Sequence, residues 1–114
     1  MDRQRVLFIC SQNVYRSPTA EALYRKEPDL EVSSAGTNVD AVNPVSAELI
    51  HWAETIVVME QHHRQELLAE FSEEVRGKKI VVLGIRDIYR RMEPALVDRL
   101  RATEGLWRQG TESF

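Results

Sequence analysis

Cysteine is nearly missing from these 114 residues: Cys10 is the only one. That excludes an internal disulfide and a multi-cysteine zinc site. Long hydrophobic runs are missing too. No apolar stretch approaches the roughly 20 residues needed to span a bilayer, so no membrane partner is expected. Charge of one sign is scarce: a net charge of −3 and a pI near 5.6 leave no electrostatic footprint for nucleic acid. Met1-Asp2-Arg3-Gln4-Arg5 runs straight into an apolar segment, which leaves no room for a signal peptide. The cytoplasm is the expected location. Repeats, low-complexity tracts and linkers are also lacking. One domain over residues 1–114 is therefore expected, with residues 104–114 as a loosely packed tail that Trp107 anchors. What is present, 43% hydrophobic and 29% charged residues, is the composition of a globular chain large enough for a core.

Short apolar runs alternate with helical patterns. Val6-Leu7-Phe8-Ile9 is too short for a helix and apolar throughout, and reads as a strand buried on both faces. Ser17-Pro18 signals a helix start with Pro18 at its first position, and Ala20, Leu23 and Tyr24 share one face before Glu27-Pro28 stops it. Leu30 to Ser34 is a weaker strand, closed by Ala35-Gly36. Asn43-Pro44 signals a second helix carrying Val45, Leu49, Trp52 and Ala53. Thr55 to Met59 is a third strand, and His63 to Phe71 a third helix with Leu67, Leu68 and Phe71 on one side. Ile80 to Leu83 is the fourth strand, and Glu93-Pro94 opens the last helix. This alternation predicts an α/β fold, a doubly wound three-layer sandwich with a four-stranded parallel sheet. Right-handed crossovers with one reversal give the order 2-1-3-4, and ligands bind at that reversal, outside the carboxyl ends of the strands. Cys10 ends strand one, at that place.

Cys10-Ser11-Gln12-Asn13-Val14-Tyr15-Arg16-Ser17 joins the first strand to the first helix. Backbone N–H groups in such a loop converge into an anion-binding nest, which the helix dipole reinforces. Arg16 adds a planar, two-pronged grip on phosphate oxygens. Helix N-termini and cations also favour the thiolate form of cysteine, which is the nucleophile. The Cys-to-Arg spacing alone arises by chance in a chain with this much arginine. The strand before it and Ser-Pro after it turn it into a candidate site for binding an anion and attacking it.

Val6 to Ala22, VLFICSQNVYRSPTAEA, resembles the phosphate loop and first helix of the low-molecular-weight protein tyrosine phosphatases, in a short bacterial-type form. Ser34-Ala35-Gly36-Thr37, then Ile56 to Glu60 with His63-Arg64, are similar to later segments of that family. The resemblance implies a cysteine-dependent phosphatase that needs no metal or other cofactor. Cys10 becomes the nucleophile and Arg16 the phosphate clamp. Ser11 to Ser17 form the phosphate-binding loop, in which Ser17 donates to the thiolate, Asn13 holds the loop in a strained shape and Ser34 supports it. The family's general acid lies in an Asp-Pro-Tyr loop. Here Gly84-Ile85-Arg86-Asp87-Ile88-Tyr89 offers Asp87 with Ile88 in place of proline. Asp87 is either that acid or a solvated loop aspartate, and Asp40 is the weaker candidate. Tyr89 either walls the pocket or belongs to the core.

Three departures accompany the resemblance. Tyr15 stands where many members have a second cysteine. The connection from Gly36 to strand three is short, which is expected to remove support for the loop and part of the pocket rim. Arg90 and Arg91 follow Tyr89. The expected activity is hydrolysis of a phosphate monoester through a phosphocysteine, on a phosphotyrosine protein or small aryl phosphate, releasing inorganic phosphate. A phosphate- or phosphopeptide-binding module with little turnover is the alternative. Arsenate reduction ranks lower, because its disulfide cascade needs further cysteines. His62-His63 is not expected to bind metal, since adjacent helical side chains point about 100° apart and no third ligand is evident.

Overall fold

The computed structural model describes residues 3–109. Four parallel strands, β1 (Gln4–Cys10), β2 (Leu30–Gly36), β3 (Thr55–Val58) and β4 (Lys79–Val82), lie in the order β2-β1-β3-β4. This is the sheet expected from the alternation of elements. Cys10 pairs with Gly36, and Ile9 with Val58, so the reversal opens directly beyond Cys10.

Successive β1 side chains point to opposite faces. Val6 and Phe8 join Ala20 and Tyr24 of α1 (Arg16–Tyr24) and Leu96 and Leu100 of α4 (Pro94–Thr103). Leu7 and Ile9 face the other way, onto Ile50 of α2 (Ala47–Trp52) and Leu67 of α3 (Gln61–Glu70). All four β1 side chains are fully buried, which is why the run shows no alternation of apolar and polar residues.

Helix starts differ from expectation in three places. α1 begins at Arg16, so Pro18 sits third in the first turn, where its missing N–H still costs no hydrogen bond. Arg16 and Ser17 are therefore held by helix rather than by loop. α2 begins at Ala47, not after Asn43-Pro44. The Ser46 hydroxyl accepts from the Leu49 N–H at 3.2 Å and caps it, while the Asn43 side-chain amide donates to the Ser34 carbonyl at 2.8 Å. α3 begins at Gln61, and the His63 ring accepts from the Glu60 N–H at 3.0 Å within its first turn. Leu67 is buried as expected, whereas Leu68 is exposed.

Residues 104–109, expected to be a loose tail, are held in place. Trp107 is 1% exposed and meets Phe8 and Tyr24 edge-on, with ring centroids 5.3 and 5.0 Å apart. Arg108 binds Glu27 at 2.6 Å, Asp29 at 2.8 Å and Glu104 at 3.1 Å. The rest of that expected tail, residues 110–114, lies outside the described residues. No helix among the described residues is long and apolar enough to cross a membrane.

Candidate active site

The turn from β1 into α1 encloses a cleft of about 160 Å³ lined by Cys10, Gln12, Val14, Tyr15, Arg16 and Asp87. Cys10 and Arg16, which end the strand and start the helix, are 3% and 2% exposed. Burial of an arginine requires fixed partners. Arg16 has them in Nη1, which donates to Glu60 Oε1 at 2.6 Å and to the Ile85 carbonyl at 2.9 Å. Burial pushes the Glu60 carboxyl up, but the hydrogen bond and charge of Arg16 outweigh it and hold Glu60 below the usual carboxylate range. With Nη1 engaged, the Nε–Nη2 edge remains for an anion. Asp87 stands at the mouth, its Oδ1 3.7 Å from Arg16 Nε, with a 61% exposed side chain.

A chain of side chains fixes the inner wall. Asn13 has φ of 58°, in the left-handed region that asparagine tolerates better than most residues. Its amide nitrogen donates to Ser17 Oγ and Ser34 Oγ, both at 2.9 Å. Ser34 Oγ then donates to Glu21 Oε1 at 2.5 Å. Ser17 Oγ lies 3.0 Å from Cys10 Sγ. Ser17 Oγ accepts from Asn13, and its own proton has two acceptors in reach, the sulfur at 3.0 Å and the Ala35 carbonyl at 3.3 Å. The roles expected of Asn13, Ser17 and Ser34 thus correspond to contacts that exist.

The outer wall was not legible. The short connection after β2, expected to deprive the loop of support, supplies it instead. N–H groups of Thr37, Asn38 and Val42 donate to the carbonyls of Cys10, Ser11 and Gln12 at 2.9, 3.0 and 3.0 Å. The approach is close: a Cβ on Gly36 would lie 2.5 Å from the Ser11 oxygen and 3.0 Å from the Asn13 nitrogen, so only glycine fits there.

His63 was also missed as a supporting residue. Its ring is completely buried, with Nε2 2.9 Å from Ser11 Oγ. Nδ1 accepts the Glu60 N–H, so the neutral ring carries its proton on Nε2 and donates it to Ser11. Burial first, then the charges of His62 and Arg16, push the ring down to about 4. The unfolded chain protonates this ring near 6.5 whereas the folded chain keeps it neutral to about 4, so protons favour unfolding as pH falls below 6.5. Between pH 7 and pH 5 the parent should lose about 2 kcal/mol more stability than His63→Asn, measured by urea unfolding. An equal loss in both proteins would show that the ring is protonated in the fold.

Glu60, His62 and His63 each offer a ligand atom, all within 4.8 Å of one another. Glu60 is the third ligand not foreseen beside the two histidines. Arg16 occupies its carboxylate, and hydrogen bonds engage both His63 nitrogens. The remaining candidates separate clearly. Asp40 is exposed and lines none of the cleft. Tyr89 packs against the core cluster of Phe8 and Leu96, and Tyr15 is the aromatic residue that lines the cleft.

Residues 5–50 match the family model for low molecular weight phosphotyrosine protein phosphatases. No curated protein sequence matches the chain. Among solved structures, the YwlE arginine phosphatase from Geobacillus stearothermophilus is 24% identical with a TM-score of 0.63, covering 97% of this chain and 99% of its own. The Wzb protein of Vibrio vulnificus in complex with benzylphosphonate is 24% identical with a TM-score of 0.68, covering 90% and 93%. The tyrosine phosphatase Wzb from Escherichia coli K30 in complex with phosphate is 24% identical with a TM-score of 0.68, covering 90% and 92%. At these identities the shared property is the fold. The sequence match covers the N-terminal segment, and the structural likeness extends over nearly the whole chain.

Proposed function

We propose that this chain belongs to the low-molecular-weight phosphatase family and hydrolyses phosphate monoesters through a phosphocysteine, with aryl phosphates, phosphotyrosine above all, as substrates. The observation that carries the proposal is the 3.0 Å contact between Cys10 Sγ and Ser17 Oγ, inside a cleft that Arg16 also lines. A thiolate there faces the phosphorus of a bound phosphate, with Ser17 donating to it. Cys10 attacks phosphorus. The loop amides and the Nε–Nη2 edge of Arg16 hold the equatorial oxygens as charge builds on them. Asp87 protonates the departing phenolate, and its carboxylate then takes a proton from the water that splits the P–S bond and releases inorganic phosphate. Val14 and Tyr15 give the cleft the apolar sides that an aromatic ring fits. A cytoplasmic location, where a lone thiol stays reduced, belongs to the same reading.

Rapid quenching of a radiolabelled aryl phosphate with the enzyme tests the chemistry: label should appear on Cys10 within one turnover. No label on the protein during active turnover would remove the covalent route. Phosphotyrosine and phosphoarginine, assayed side by side, separate the two leaving groups named among the similar structures. Asp87→Asn should lower kcat on phenyl phosphate by about 10²- to 10³-fold. Its effect on p-nitrophenyl phosphate should be smaller, because that leaving group departs without a proton. Equal effects on both esters would take Asp87 out of the acid role.

The exposure of Asp87 favours one second reading, a phosphate-binding module with little turnover. Tight vanadate or phosphate binding in calorimetry, with no hydrolysis at any pH, distinguishes it.

A further inference from the structure

The surface around the cleft carries features that phosphoryl transfer does not use. Val14 and Tyr15 on the phosphate loop, Val39 and Val42 on the connection after β2, and Ile88 and Met92 on the loop after β4 are all exposed. Val39 and Val42 are 91% and 74% exposed. Beside the cleft runs a second groove of about 310 Å³, whose lining includes Pro18, Val42, Arg91 and Glu21, the last engaged by Ser34 and Arg25. Val14 lines both cavities, so a ligand extending from the cleft across Val14 enters the groove. Two cavities joined over one side chain fit a chain better than a compact molecule.

The loop after β4 is rich in arginine. Arg86, Arg90 and Arg91 are exposed, and among the described residues none of the three has an acidic partner within ion-pair distance. Arg3, Arg25, Arg76 and Arg108 elsewhere are each paired with a carboxylate, while Arg64, Arg99 and Arg101, on α3 and α4, have none within ion-pair distance among the described residues. Asp87, the only acid between Gly84 and Met92, lies toward Arg16. Asp40 and Glu93 are the other nearby carboxylates. Arg91 lines the groove, and Arg86 and Arg90 stand on the same loop without ion-pair partners, in a chain whose net charge is −3. The turn that carries them is fixed at several points. The Arg90 N–H donates to Glu93 Oε1 at 2.9 Å, and the Met92 N–H donates to Thr19 Oγ1 at 2.9 Å. Met92 itself is held at φ 60°, an uncommon conformation for a residue other than glycine and one that often marks a functional segment.

We infer that the preferred substrate is a polypeptide segment with acidic side chains beside its phosphorylated residue, laid from the Cys10 cleft over Val14 into the groove and drawn to Arg86, Arg90 and Arg91. The inference rests on the phosphatase reading and names its substrate class. Exposed ion pairs each change an equilibrium by a factor of up to about five, and complementary fields also speed encounter.

Phosphotyrosine nonapeptides that differ only in their flanks, acidic, alanine or lysine, provide the test, with p-nitrophenyl phosphate as the baseline. The kcat/KM for acidic flanks should exceed that for lysine flanks by about tenfold at low ionic strength, and the ratio should shrink as salt screens the charges. The double variant Arg90→Glu/Arg91→Glu should remove or invert the preference while p-nitrophenyl phosphate turnover stays within about twofold. Equal kcat/KM for all flanks, with the baseline intact, overturns the inference. An inactive baseline instead overturns the phosphatase reading. Calorimetric titration of the same peptides then reads docking alone: acidic flanks binding tighter supports it, and equal affinities overturn it.

Discussion

Cys10→Ser should lower kcat on an aryl phosphate by at least about 10⁴-fold while leaving the affinity for inorganic phosphate nearly unchanged. The substitution alters one atom. A serine hydroxyl at the same place keeps the Ser17 partner, which lies 3.0 Å from the sulfur in the parent. It also leaves the loop amides and Arg16 where they are. What disappears is the proposed sulfur nucleophile, because among the described residues no group lining the cleft is placed to take the proton from a hydroxyl at residue 10. Ser17 is a neutral hydroxyl 3.0 Å from this position, and Asp87 lies at the mouth beside Arg16 rather than against Cys10. Steady-state kinetics and a phosphate titration measure the two halves separately. A variant retaining a tenth of the parent rate would mean that residue 10 is not the nucleophile.

Arg16→Lys should lower kcat/KM by about 10³-fold, a loss of about 4 kcal/mol in transition-state stabilisation. The guanidinium serves two directions at once. Nη1 is committed to Glu60 and to the Ile85 carbonyl, and the opposite edge faces the cleft. A lysine ammonium is one nitrogen on a flexible stem, and cannot reach the carboxylate, the carbonyl and two phosphate oxygens together. In the ligand-free protein it should settle on Glu60, so phosphate affinity should fall with the rate. If Arg16→Lys stays within tenfold of the parent, then charge alone matters and the two-sided geometry does not.

How much of this was legible depends on how local each signal is. The strand order followed from alternation and crossover handedness. The loop followed from eight consecutive residues between a strand and a helix. Asn13, Ser17 and Ser34 could be given supporting roles by resemblance, and their hydrogen bonds exist. Contacts made by backbone had no signal. Thr37, Asn38 and Val42 hold the loop through N–H groups that any residue but proline possesses, so the short connection read as a loss. Glu60 and His63 were seen only as parts of a strand end and a histidine pair. Their tasks depend on β3 bringing the start of α3 beside Arg16 and Ser11, 44 and 52 positions away in sequence. Tyr89, left open between pocket wall and core, packs against the core, and Tyr15 lines the cleft, because a loop segment gives no period from which to tell inside from outside.

The three N–H groups that grip the loop from outside have a kinetic consequence. The carbonyls of Cys10, Ser11 and Gln12 are turned outward and held there, so the cradle needs no anion to complete it. Little binding energy is then diverted to ordering the protein. In the proposed reaction, orthophosphate would meet the same ready contacts as the ester it came from. Each turnover would then end with the product competing for the site, and the level of free orthophosphate would help to set the working rate.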